Sequence, residues 1–105
     1  MSPVVYLAVG PVDLRGAFDK LAALTRQVLL HDPTSGALFL FLNRRKNRLK
    51  ALWWDQNGYV ILYKRLAKGT FTLPDASRET GCLELTAAQF ARLLSGLAID
   101  VPVVH

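Results

Sequence analysis

The sequence predicts an α+β domain: a mainly antiparallel β-sheet with a central β-hairpin, packed against two α-helices. Three observations carry the prediction. Short, β-branched or Leu/Phe-rich runs recur along the chain, bounded by Gly, Pro, Asn or Asp. Asn57-Gly58 separates two of these runs, and this dipeptide tolerates the positive φ that a tight hairpin requires. Two other stretches space their apolar residues by three and four, the period of a helix that buries one stripe. The chain has 105 residues, 51% of them apolar, enough for one core and too few for two domains. Residues 1–98 are expected to form that single domain and residues 99–105 a loosely packed tail.

The elements follow in order. Val4 to Val9 is almost continuously apolar and ends at Gly10-Pro11, which reads as a strand buried on both faces. Asp13 is placed to cap a helix in which Leu14, Phe18, Leu21, Thr25, Val28 and Leu29 form the core stripe; Gly16 weakens its first turn and moves its firm start to Ala17. The helix stops near His31, because Asp32-Pro33 cannot continue it. Leu38 to Leu42 is the second strand. Leu49 to Asp55 and Tyr59 to Leu66 are the third and fourth, and Phe71 to Leu73 is a short candidate strand closed by Pro74-Asp75. Arg78 to Gly81 reads as polar loop and Cys82 to Leu85 as a last edge strand. Thr86 and Gln89 form a capping box that opens a second helix, with Phe90, Leu93, Leu94 and Leu97 on one stripe and Gly96 at its end. Both helices are expected to pack on the same core.

With Asn57 and Gly58 as the two loop residues, Gln56 pairs with Tyr59, Trp54 with Ile61, Leu52 with Tyr63 and Lys50 with Arg65. Alternation then sorts the side chains. One face holds Arg48, Lys50, Leu52, Trp54, Tyr59, Ile61, Tyr63 and Arg65. The other holds Leu49, Ala51, Trp53, Asp55, Val60, Leu62, Lys64 and Leu66 and looks more like core.

Charge is concentrated. Lys and Arg number 13 against 8 Asp and Glu, a net of +5. Between Asn43 and Lys68 lie eight cations, Arg44, Arg45, Lys46, Arg48, Lys50, Lys64, Arg65 and Lys68, against the single acid Asp55, so this quarter of the chain carries +7 and the remainder −2. Such a local field attracts polyanions, whereas charge spread evenly mostly aids solubility. Trp and Tyr lie among the cations, and aromatic faces stack on unpaired bases. The candidate nucleic-acid-binding set is Arg44, Arg45, Lys46, Arg48, Lys50, Trp54, Tyr63, Arg65 and Lys68. Trp54 has two readings, a base platform or core filling.

Catalytic groups are scarce. His31 and His105 adjoin no nucleophile, and His31 at a helix C-terminus has a structural explanation in the helix dipole. No Cys-x-x-Cys, His-x-x-x-His, phosphate-binding Gly-rich loop or Gly-x-Ser-x-Gly elbow occurs. Asp13, Asp19 and Asp55 are the only candidates for an acidic metal site, and two of them lie at a helix start. No catalytic residue, metal, cofactor or small-molecule substrate is expected, and the chain does not read as an enzyme. Apolar runs are too short for a membrane span, the N-terminus lacks a signal pattern, and the lone Cys82 fits a reducing cytoplasm.

Three blocks carry a resemblance: Asp13 to Leu21, Gly36 to Phe41, and Arg44 to Asp55 followed by Gly58-Tyr59, Tyr63 to Leu66 and Gly69 to Phe71. Together with Leu85 to Gln89 and Leu93 to Gly96 they make the chain similar, from about Tyr6 to Leu97, to the TnpB-type accessory proteins of bacterial insertion sequences of the "sixty-six" family. The resemblance implies a non-catalytic role in DNA transposition, beside a separate transposase that carries the acidic catalytic site. Gly16 and Ala17 stand where the family usually has Lys, and Leu73 where it usually has Trp. The first departure lowers the charge near Arg15, so no DNA role is assigned to the first helix; Arg15 is read as paired with Asp19 or a turn carbonyl. Two partner readings stay open: DNA bound by the basic hairpin, or the transposase docked on the same surface. A sheet edge at the first or the last short strand offers a route to a homodimer.

Overall fold

The computed structural model describes residues 4–73 and 81–96. Strands β1 (Val5–Ala8), β2 (Leu38–Leu42), β3 (Arg48–Asp55), β4 (Gly58–Arg65) and β5 (Cys82–Leu85) form one sheet in the order β4-β3-β2-β1-β5. β1 and β2 run parallel and every other neighbouring pair antiparallel. A parallel pair needs a crossover. Helix α1 (Phe18–Leu24), continued by a π-helical turn over Thr25–Leu29, supplies it; α2 (Ala87–Leu94) follows β5.

The expected α+β class holds, with one change in its layering. The helices do not share a core. α1 covers the face that carries Phe39, Phe41, Leu52 and Ala8, with Leu21, Ala22 and Leu29 packed on it. Leu93 of α2 packs with Val5, Leu7, Leu40, Leu42, Leu49 and Ala51 on the opposite face, which Phe71 also fills. The sheet therefore lies between two helices. That explains why β2, LFLFL, is apolar at every position: both its faces are core, and alternation has nothing polar to point outward. It also shows that the Leu52 face of the hairpin, expected to be the less core-like one, is core in its middle, where Leu52 is fully buried.

The first helix departs from a uniform stripe. Phe18 and Val28 are more than 40% exposed, whereas Leu21, Thr25 and Leu29 are buried. In a regular α-helix a spacing of four drifts around the axis; the wider π turn cancels the drift and keeps these three aligned. Thr25 satisfies its buried hydroxyl by donating to Leu21 O at 2.8 Å. Asp13 does not cap this helix: its N-cap is Ala17, without a side-chain hydrogen bond. The C-terminal stop is Leu30, a non-glycine residue at φ 58°, ahead of the Asp32 turn in which the carboxylate accepts from Thr34 N and Oγ1. His31 stacks on Tyr6, with ring centroids 3.9 Å apart.

The hairpin forms, but Gln56 and Asn57 are its loop residues. Asp55 pairs with Gly58, Trp54 with Tyr59, Lys50 with Tyr63 and Arg48 with Arg65. The positive φ falls on Gln56, at 55°. The register differs by two residues from that of an Asn57-Gly58 loop, an even shift, so the membership of both faces survives. Phe71 to Leu73 forms no strand; Phe71 is a buried plug whose N–H donates to Lys46 O at 2.6 Å. β1 is interior, so among the described strands the edges are β4 and β5. The capping box of α2 is present in both halves, with Gln89 N donating to Thr86 Oγ1 and Thr86 N to Gln89 Oε1. The expectations for Pro74-Asp75, for residues 78–80 of the polar loop, for Leu97 and for the 99–105 tail fall outside the described residues.

Candidate nucleic-acid interface

The turn between β2 and β3 is built around one side chain. Asn43 Oδ1 accepts from the backbone N–H groups of Asn47 (3.1 Å) and Arg48 (3.0 Å), and its Nδ2 donates to Asn47 Oδ1 at 2.7 Å. Lys46 N donates to Asn43 O, which closes the turn with Lys46 at φ 57°. Arg44, Arg45 and Lys46 are thus exposed on a pinned loop. The segment after β4 is tied to the same place: Leu66 N donates to Asn47 O and Phe71 N to Lys46 O, which brings the intervening Lys68 beside the turn.

A cleft of about 690 Å³ opens between this turn and the loop that leads from β1 to α1. Pro11, Val12, Asp13, Leu14 and Arg15 form one wall, Asn43, Arg44, Arg45 and Asn47 the other, and Arg48, Lys50 and Tyr63 also line it. Val12 N donates to Leu42 O at 2.9 Å and fixes the loop wall to the end of β2. Arg48 lies directly across from Arg65, a like-charged cross-strand pair that costs stability unless an anion screens it. Arg48 Nη1 donates to Tyr63 Oη at 3.2 Å, and Lys50 Nζ lies over the Tyr63 ring, 5.1 Å from its centroid.

Two cations of the cluster are spent inside the fold. Lys50 Nζ donates to Leu14 O and to Gly16 O (2.8 Å), which holds the loop wall to the sheet. Lys64 Nζ donates to Leu94 O at the C-terminal end of α2, where a cation also meets the favourable end of the helix dipole. Arg44, Arg45, Lys46, Arg48, Arg65 and Lys68 enter no ion pair among the described residues.

Arg15 belongs to this cleft, which the sequence did not disclose because it lies about thirty residues from the basic cluster. Its partner is Asp13 and not Asp19: Nε and Nη2 fork the carboxylate at 3.0 and 2.7 Å, and Arg15 N donates to Oδ1 as well. Those hydrogen bonds hold the Asp13 carboxyl well below the usual carboxylate range and raise Arg15, while Lys20 adds a weaker attraction at 3.6 Å. The Arg15 side chain stays 91% exposed.

Trp54 is not with the cations. It sits six residues along β3 from Arg48, about 20 Å at roughly 3.3 Å per residue, near the hairpin tip. There it is half-buried and meets Tyr59 edge-on, with centroids 5.0 Å apart. The arrangement thus gathers Arg44, Arg45, Lys46, Arg48, Lys50, Tyr63, Arg65 and Lys68 at one end and leaves Trp54 at the other. Among the described residues no three His, Cys, Asp or Glu side chains converge on a metal position. Burial pushes the Cys82 thiol up, away from the reactive thiolate form.

The family described as IS66 Orf2 like protein matches residues 3–103. The chain belongs to that family. IS66 Orf2-like proteins are accessory components of IS66 transposition, and this chain is one of them. It is 39% identical over 93 residues to the uncharacterized protein y4hO of Sinorhizobium fredii, covering 89% of this chain and 79% of the relative. It is 34% identical over 93 residues to the uncharacterized protein y4jC of the same organism, covering 89% and 78%. No solved structure matches it. No described helix of this IS66 Orf2-like chain is long and apolar enough to cross a membrane.

Proposed function

We propose that this IS66 accessory protein binds DNA through the phosphate backbone, with the 43–47 turn, the Arg48–Arg65 pair and the neighbouring Lys68 as the contact surface. One observation carries the reading: six cations collect at one end of the sheet without a carboxylate partner among the described residues, three of them on a loop held by Asn43. A fold that leaves like charges side by side gains when a polyanion neutralises them, and release of condensed counterions drives the binding. The proposed contacts are to phosphate, which position the protein and carry no sequence information. The protein contributes binding and no bond chemistry of its own.

The test compares the parent with Arg44→Ala/Arg45→Ala/Lys46→Ala on several unrelated DNA sequences. The triple variant is expected to fold and to lose affinity evenly across them. Capture of the element's transposase, with and without nuclease, separates this reading from direct protein docking on the same surface. Capture that survives nuclease, together with a triple variant that binds DNA like the parent, would assign the surface to the transposase.

A further inference from the structure

We propose that the cleft holds one unpaired nucleotide of the bound DNA, with its base on the Tyr63 ring, so that the protein prefers single strands and frayed or overhanging ends to blunt duplex. The inference rests on the DNA-binding reading above.

Shape comes first. The phosphate-binding end of the sheet is not a flat or convex surface. It is split by a cleft whose volume, about 690 Å³, falls within the roughly 300–1,000 Å³ of pockets that enclose small ligands. A duplex keeps its bases stacked inside and offers the rim only phosphates. A nucleotide outside the stack can enter.

The walls are chemically different. Arg44 and Arg45 line the turn wall, whereas the loop wall carries Pro11, Val12, Leu14 and the mutually paired Asp13 and Arg15. Phosphates are drawn to the first wall and find no net charge on the second, where Arg15 neutralises Asp13, which leaves the apolar side of the cleft to the base. Tyr63 lies between them. The residue is 52% exposed on an edge strand, Arg48 donates to its hydroxyl, and Lys50, itself fixed by Leu14 O and Gly16 O, lies over its ring. An aromatic ring fixed by two cations is ready to stack before any strand arrives, and a stack on it is indifferent to which base is presented. Trp54, the larger ring, is already met by Tyr59 and lies away from the phosphate-binding residues.

The experiment uses fluorescence anisotropy on the full chain with three oligonucleotides matched in phosphate number: a blunt duplex, a correspondingly shorter duplex with a short overhang, and a single strand. A 2-aminopurine in the overhang reports stacking. The parent should bind the overhang and the single strand at least about fivefold more tightly than the blunt duplex, the lower end of what one stacked base contributes, and should quench the 2-aminopurine. Tyr63→Ala should remove both the preference and the quenching, and Tyr63→Phe should retain both. Equal affinity of the parent for all three DNAs, or a loss in Tyr63→Ala that is equal for duplex and single strand without a change in quenching, overturns the inference while leaving backbone binding intact. Absence of binding to any of the three overturns both readings.

Discussion

Replacing Asn43 by Ala separates the number of charges from their placement. The substitution removes two hydrogen bonds that the side chain accepts and one that it donates. At roughly 0.5–1.5 kcal/mol each, and with the freed N–H groups close enough to the surface to find water, the net cost should be about 2 kcal/mol. For a domain of this size that is roughly 10 °C in Tm, since about 1 kcal/mol corresponds to 4–8 °C. The backbone bonds from Asn43 N to Arg48 O and from Lys46 N to Asn43 O remain, so the turn loosens without being lost. Every cation is still present. DNA affinity should therefore fall, by about three- to tenfold, because three long side chains must be ordered on binding, while its dependence on salt concentration stays that of the parent. Thermal unfolding by circular dichroism and a salt series of DNA titrations measure the two effects. An unchanged Tm would refute the latch, and a lowered Tm with parental affinity would refute its role in presenting the cations.

Lys50→Met should destabilise the fold by about 2 kcal/mol through loss of two charged hydrogen bonds to Leu14 O and Gly16 O, yet leave the salt dependence of DNA binding unchanged; a flattened dependence would show that Lys50 reaches phosphate. Trp54→Ala, at a half-buried position against Tyr59, should lower the urea midpoint and leave single-strand affinity within about twofold, since its ring is remote from the cleft and stacking would contribute more than that. Leu30→Gly should raise stability by about 1 kcal/mol, because an exposed Leu held at φ 58° carries the steric cost of the left-handed region; denaturant unfolding checks the sign. Arg15→Ala should return the Asp13 carboxyl toward its ordinary value. A carboxylate lowered in the folded state adds stability above its unfolded pKa of about 4 that fades as pH falls toward the lowered value. The variant should thus lose a small, acid-sensitive contribution, seen as a flatter Tm profile below about pH 4; an NMR titration of Asp13 identical in both proteins would contradict the pairing.

Much of the fold is visible in local pattern. The capping box, the crossover helix between two apolar strands and the hairpin each have a short-range cause, and all three form. What the sequence hides is long-range. The two-residue register of the hairpin depends on which residue accepts positive φ, and Gln56 does so in place of the better-suited Asn57-Gly58 pair. That α2 lies across the sheet from α1 is invisible to periodicity, which shows that each helix has an apolar stripe but not which face the stripe meets. The candidate site divides in the same way. The cations stood out as a cluster in the chain, but their separation into free and spent groups is set by Leu14, Gly16 and Leu94, carbonyls that no pattern of side chains encodes. Asn43 and Asn47 carried a signal, two amides four residues apart around three cations, that gains its meaning only once the turn is seen.

The most direct measurement is the salt dependence of affinity for a duplex of arbitrary sequence. Six cations at the end of the sheet enter no ion pair among the described residues, and of these about four or five can follow one phosphate backbone, so log affinity against log salt should fall with a slope of about −4, near −0.9 per phosphate neutralised. Removing Arg44, Arg45 and Lys46 should reduce that slope to about −1 or −2. A parent slope near zero, or a triple variant with the parental slope and affinity, would contradict DNA binding by this surface.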